Sequence, residues 1–385
     1  MTMATKNEIF QEHLSRYLVA DTQSKGEILT HVCAVTGMHR KAAIRKFRVL
    51  QLRDPAHQEG RGRRVYYTKD VDAALETIWS TANEPCGELL HPMIAEYIAI
   101  LKRDKMWKHG DEATGKLLAM KEHTVRRRVS GFAWGHRKQK GLSATRPSLL
   151  KTIIPIFKGP WKDKPPGYGQ IDTVAHCGST LLGDFVYTVN YTDTATYWVI
   201  PRAQWNKGQD ATKESLEAIQ KKLPVPILGL HPDTGSEFIN WNLKHWCDAE
   251  KIEFTRSEPD KKNDNMYVEE RNGHVVRKYV GYVRFDCPLV VPLMNELYDV
   301  LAFYLNHFQA VRRTQTKERV GAKYKRRYEK VAKTPYRRML EHDAVPEKVK
   351  EKLRAEHTPL NPLLLKKEID RLIAKILKVQ KTATA

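Results

Sequence analysis

Residues 169–203 hold three segments, GQIDTVAH (169–176), DFVYTVNYTD (184–193) and TYWVIPRA (196–203). They run apolar or alternate, are rich in β-branched and aromatic residues, and are separated by short polar turns such as CGSTLLGD, so a β-meander is expected. The pattern then changes to a helix near 207–222, a short strand VPILGL (225–230), a helix near 237–250, a strand IEFTR (252–256) and a helix near 265–281. Three meander strands followed by alternating helix and strand predict an α/β domain, a mixed five-stranded sheet with helices on its faces.

The flanks differ from this core. In KGEILTHVCAVTGMHRKAAIRKFRVL (25–50), apolar residues at helical spacing stop at Thr36-Gly37 and resume at Ala43, Ile44 and Phe47. Two short helices around a glycine turn, the second carrying Arg40, Lys41, Arg45 and Lys46, suit a helix-turn-helix with a basic recognition helix; any helical hairpin with a charged outer face would look the same. Residues 70–130 read as helical again. KLLAMKEHTVRRRVSG (116–131) can end a second helix-turn-helix, with Arg126, Arg127 and Arg128 on its last helix. HRKQKGLSATRPSLLK (136–151) has linker composition, and Arg137, Lys138 and Lys140 are placed to touch phosphates. Beyond the sheet come an apolar helix near 288–310, a strongly basic stretch, and an amphipathic helix with a disordered tail. The expected domains are 1–52 (helix-turn-helix), 65–135 (second helical DNA-binding domain), 136–160 (basic linker), 161–285 (the α/β sheet domain) and 286–385 (basic helical region).

The chain has 385 residues with 66 Lys+Arg against 45 Asp+Glu, a formal net charge of +21. Such an excess calls for a polyanionic partner. No apolar run reaches the ~20 residues of a membrane span and no signal core opens the sequence, so nucleic acid is preferred over a membrane and the cytosol over export. The five cysteines are scattered and include no CxxC, which argues against a disulfide framework or a zinc ribbon.

Against this basic background three acids stand out. Asp172 lies within an apolar strand, Asp233 just past PVPILGL in HPDTGSEFIN, and Glu269 near a helix start in NDNMYVEERNGHVVRK. An unpaired carboxylate in a strand costs several kcal/mol when buried, and an acid past a strand opens onto the crevice where sheet folds hold ligands. Gly235 is expected to make the tight turn there and Ser236 to cap the next helix, leaving Asp233 available. Carboxylates around a phosphodiester require divalent cations: two Mg²⁺ (or Mn²⁺) ions can activate an attacking oxygen and stabilise the leaving one. Asp193 is read as a turn former. Arg271, Arg277 and Lys278 are read as gripping DNA, and Tyr197, Trp198, Trp241 and Trp246 as core. Asn272 shares the Glu269 helix face at i+3.

QIDTVAHCG, YTDTATYW, HPDTGSEFIN, FTRSEPDKKNDN and VEERNGHVVRKYVGY, taken in order over residues 160–285, resemble the integrase catalytic domain of DDE transposases and retroviral integrases. The similarity is strongest to the transposases of bacterial insertion sequences, and extends to the helical N-terminal half and to KERVGAKYKRRYEKVAKTPYRRML. It implies a ribonuclease-H-like fold and maps the metal-binding triad onto Asp172, Asp233 and Glu269; Glu269 is preferred over Glu270 because it follows Val268 and leaves 35 residues after Asp233. Thr234 departs from the pattern, which commonly has asparagine there, and no zinc-binding His/Cys set is present. The resemblance implies an enzyme that binds double-stranded DNA, element ends and target alike. It further implies cutting and joining of strands with two metal ions per site, work as a homo-oligomer in a synaptic complex, and residence at the bacterial nucleoid. Two other readings remain open: a stand-alone nuclease of the same chemistry, and an inactive derivative that only binds DNA.

Overall fold

The computed structural model describes residues 1–52, 66–132, 154, 155, 157, 161, 164–232, 237–256, 268, 271–320 and 323–384. The expected positions Arg137, Lys138, Lys140, Asp233, Glu269 and the neighbouring Gly235 and Ser236 lie outside them. The described chain forms two compact units, Met1–Tyr66 and Tyr67–Ala385.

The first unit is three helices, α1 (Met3–Val19), α2 (Thr22–Thr36) and α3 (Arg40–Gln51). The first two starts are capped by the residue types such ends prefer: Thr2 Oγ1 accepts from Thr5 N at 3.2 Å, and Asp21 Oδ1 from Ser24 N at 2.8 Å. α2 ends at Gly37, whose φ of 66° lets its N–H reach Cys33 O at 2.9 Å before the chain turns into α3. Phe10, Leu29, Val32, Ala43 and Phe47 make a small core, with Tyr17 stacked on Phe47 at 4.1 Å. Residues 25–50 thus lie in two helices joined at Gly37.

The second unit opens with α4 (Lys69–Thr81), α5 (Gly87–Leu90), α6 (Ile94–Arg103), α7 (Asp111–Leu118) and α8 (Glu122–Phe132), which bury Leu75, Ile78, Tyr97, Leu101, Leu117 and Val125. Phe308, Ala310 and Ala332 join the cluster of Leu75, Ile78 and Tyr97, so the helical region and the C-terminal region share one core.

The sheet has strands β1 (Tyr168–Ala175), β2 (Val186–Asp193), β3 (Val199–Trp205), β4 (Gly229–Pro232) and β5 (Glu253–Phe254) in the order β3-β2-β1-β4-β5. β2 runs antiparallel to β1 and β3, while β4 is parallel to β1 and β5. This is the ribonuclease-H-like α/β arrangement. Strand alternation divides β1 between two faces. Ile171 packs with Val189, Tyr191 and Ile200 under α9 (Gln209–Gln220) and α10 (Trp241–Ala249). Val174 packs with Val186, Val199 and Ala203 under α11 (Val290–Phe308) and α14 (Pro362–Thr384). Gly169 is required by the tight β1–β2 crossing, since a Cβ there would sit 1.9 Å from the Tyr191 ring.

Several local expectations are corrected. The strand expected from Val225 begins only at Gly229, because Pro224 and Pro226 lack the N–H a ladder needs. α10 starts at Trp241 rather than near 237, and its cap is Asn240, whose Oδ1 accepts from Leu243 N at 2.9 Å. The helix expected over 265–281 is described from 271 and contains a π-helical turn, Gly273–Arg277, running into Lys278–Val280. The C-terminal region is not all helical. Between α11 and α12 (Pro335–Glu341) lies a hairpin of β6 (Thr314–Val320) and β7 (Lys323–Tyr328), whose strands contain the β-forming residues Thr314, Thr316, Val320, Tyr324 and Tyr328. α13 (Glu347–His357) follows, and α14 continues to Thr384 where a disordered tail was expected.

Candidate active site

Asp172 sits mid-strand on β1, the strand flanked by β2 and β4, directly opposite Asn190 of β2. Its half-buried carboxylate is held at both oxygens: Oδ1 accepts from Thr173 N at 2.7 Å and Oδ2 from Asn272 Nδ2 at 2.6 Å. Asn272 Oδ1 in turn accepts from Asn190 Nδ2 at 2.9 Å. The residues around Glu269 are thus pinned to the sheet. Val268 N donates to Gln170 Oε1 at 3.2 Å and Arg271 Nη2 to Tyr197 O at 3.3 Å, while Asn272 reaches Asp172. On the other side, β4 pairs His231 with Gln170 and Pro232 with Ile171, so it ends one residue short of Asp233 beside the strand of Asp172. The structure brings the flanks of Asp233 and Glu269 to the middle of β1, next to Asp172. Among the described residues no group of three or more His, Cys, Asp or Glu side chains could hold a metal ion; two of the three expected ligands lie outside that set.

The remaining titratable groups on β1, β2 and β4 do not rival these acids. Asp193 is buried and organises the β2–β3 turn: Oδ1 accepts from Ala195 N, Thr196 N and Thr196 Oγ1, and Oδ2 from Gly167 N at 2.7 Å. Burial, the largest influence, raises its pKa against those bonds. His176 and His231 are pushed down to about 3 by burial and stay neutral near pH 7.

The expected DNA-contacting basic residues fall into two groups. Arg40, Lys41, Arg45, Arg126 and Arg127 are exposed. Within the first unit, Arg40 Nη1 donates to Thr30 Oγ1 at 3.0 Å, and half-buried Lys46 Nζ to Asn7 Oδ1. On α8, Arg126 pairs with Glu88 at 2.9 Å and Arg128 with Asp72. Arg271 is only 7% exposed and stacks near Tyr197. Arg277 Nη2 donates to Ala175 O at 2.7 Å, and Lys278 Nζ to Asn83 O. These three tie the helix after Glu269 to the rest of the unit, where the sequence alone placed them at DNA. Trp241, expected in the core, is 50% exposed beside His245, whereas Tyr197, Trp198 and Trp246 are buried as expected. Sequence reasoning passed over Asn190, Arg48 and Glu237. Arg48 is exposed one turn beyond Arg45, and helical spacing alone would have found it.

A ribonuclease-H-like sheet with an acid at the middle of its central strand defines the fold class of this protein. By sequence it belongs to the same family as uncharacterized protein y4rM of Sinorhizobium fredii (strain NBRC 101917 / NGR234), at 32% identity over 333 residues that span 85% of this chain and 93% of the relative. No family model matches the sequence. Among solved structures, the HTLV-2 integrase catalytic core domain in complex with magnesium (dimeric form) aligns over 38% of this chain and 90% of its own, at 19% identity and a TM-score of 0.28. The simian T-cell lymphotropic virus intasome in complex with PP2A regulatory subunit B56 gamma aligns over 55% and 70%, at 14% identity and a TM-score of 0.30. No described helix is long and apolar enough to cross a membrane.

Proposed function

We propose that the chain is a DNA transposase of the integrase class, which binds the terminal repeats of a bacterial insertion sequence, cuts its strand ends and joins them to target DNA. The observation that carries this reading is the convergence on β1: Asp172 opposite Asn190, Asn272 from the turn after Glu269 bonded to Asp172, and β4 ending beside them one residue before Asp233. The donor set is hard carboxylate oxygen, which fits Mg²⁺ or Mn²⁺ and not a thiol-seeking metal. Asp172, Asp233 and Glu269 would hold two such ions, whose chemistry is to activate the attacking oxygen and neutralise the leaving one during in-line phosphoryl transfer.

The chain's own residues supply position and charge. Asn272 fixes the orientation of the Asp172 carboxylate and so keeps its oxygens from turning away between turnovers. Lys41, Arg45 and Arg127 meet phosphates, with α3 and α8 as recognition helices. The reaction needs no covalent protein–DNA link, so no serine or tyrosine nucleophile is assigned. Both element ends must be handled together, which requires a homo-oligomeric synaptic complex, and the working place is the bacterial nucleoid.

A strand-transfer assay with pre-cut ends, comparing the parent with Asp233→Asn, tests this. The transposase gives joined products that need Mg²⁺ or Mn²⁺ and disappear in the variant. Cleavage without joining would favour a stand-alone nuclease, and specific binding without product from either protein would favour an inactive regulator.

A further inference from the structure

Glu237 lies four residues beyond Asp233, in the stretch leading from β4 to α10. Its side chain is 3% exposed, a costly place for a carboxylate. Oε1 accepts the Thr173 hydroxyl at 3.0 Å and pairs with the Lys207 ammonium at 2.8 Å. Oε2 is buried as well and has no hydrogen-bond partner among the described residues. The Glu237 carbonyl accepts from Asn240 Nδ2 at 2.7 Å, and Asn240 is the cap of α10. Thr173 follows Asp172 directly, so by strand alternation it leaves β1 on the opposite face from the Asp172 carboxylate. One buried carboxylate therefore joins three pieces of chain: β1 next to the first acid, the segment just after the second acid, and Lys207 in the turn after β3.

Stability alone does not explain this group. An apolar side chain of similar volume would leave no carboxylate oxygen unsatisfied. Lys207, 29% exposed, can turn to solvent if its partner is removed. We propose that Glu237 is a positioning residue: it holds Thr173, whose N–H donates to Asp172 Oδ1, and so fixes the Asp172 carboxylate against the start of α10. This rests on reading Asp172 as a catalytic metal ligand.

The test uses the full chain with Glu237→Met, and Glu237→Gln should the methionine variant fail to fold. Hydrogen exchange is measured first, without metal or DNA. The expected result is a melting temperature at or above the parent's, exchange over 229–243 about tenfold faster, and unchanged exchange in α11. Cleavage is then measured against Mg²⁺ concentration; the midpoint should rise about 10–100-fold, the range seen when a partner behind a metal ligand is removed. Thr173→Val should reproduce that rise, and the double variant should add little to it. Unchanged exchange over 229–243, or an unchanged Mg²⁺ midpoint in a cleaving parent, overturns the proposal. If the parent cleaves nothing with any metal, the transposase reading falls, while the exchange result still decides whether Glu237 holds the segment.

Discussion

Asn272 donates to Oδ2 of Asp172 at 2.6 Å while its own oxygen accepts from Asn190, so one side chain couples the helix after Glu269 to two strands. A carboxylate restrained in this way keeps its orientation without help from a ligand. Asn272→Ala should lower cleavage and strand transfer about 10–100-fold with little change in fold. Asn272→Asp should be worse, because a second carboxylate at hydrogen-bond distance repels Asp172. The pair is read by single-turnover kinetics beside circular dichroism. Equal activity of Asn272→Asp and the parent would remove Asn272 from the site.

Three histidines, His176, His231 and His307, are each held at about 3, in every case chiefly by burial. Their unfolded value is near 6.5. Between those limits the unfolded chain binds protons that the folded chain excludes, so stability is full above pH 6.5 and declines as pH falls toward 3. Each histidine contributes a slope of up to about 1.4 kcal/mol per pH unit within that window. Thermal melts from pH 7.5 to 4 should show Tm falling with acidification. His176→Gln should flatten the fall by one proton's worth, and a flat profile in the parent would contradict the burial of all three rings.

The crossing of β1 and β2 makes a sharper demand on one residue. An alanine Cβ at Gly169 would meet the Tyr191 ring at 1.9 Å, far inside van der Waals distance, and Tyr191 is fully buried. Gly169→Ala should cost several kcal/mol or prevent folding, seen as disappearance of soluble protein or of the thermal transition. Pairing it with Tyr191→Leu should restore part of the stability, which a general intolerance of strand substitution would not do.

The sheet was legible because its signals are local: alternation over 184–193 and 196–203 and the short turns between them need no tertiary information. Asp172 stood out because an acid inside an apolar strand conflicts with its surroundings. The fates of the basic residues were not legible. Arg45 and Lys46 are neighbours in sequence, yet one faces water and the other reaches Asn7 on α1, a partner 39 residues away. Arg277 reads as a surface charge until β1 offers it the Ala175 carbonyl. Helix caps erred for a similar reason. Ser236 is a good cap by residue type, but Asn240 is the residue at the actual helix start, and its Nδ2 also donates to the Glu237 carbonyl. The hairpin at 314–328 was hidden by its charge, since Lys and Arg dominate a stretch whose β-forming residues alternate with them.

That division of basic residues predicts two separable phenotypes in DNA binding. Lys41 and Arg127 are exposed, whereas Arg128 and Lys46 are half-buried and bound to groups of their own unit. Changing an exposed one to alanine should weaken binding to a terminal-repeat duplex. The slope of log K against log salt should fall by about 0.9 for each phosphate that is no longer neutralised, with Tm unchanged. Changing Lys46 or Arg128 should lower Tm, because each loses a part-buried bond within its own unit, and should leave the salt slope of the protein that remains folded close to the parent's. Fluorescence anisotropy at several salt concentrations, set beside thermal melts, separates the two. If Arg128→Ala reduced the slope by the share of one whole phosphate at unchanged Tm, the ion pair with Asp72 would be incidental and α8 would meet DNA through a different face.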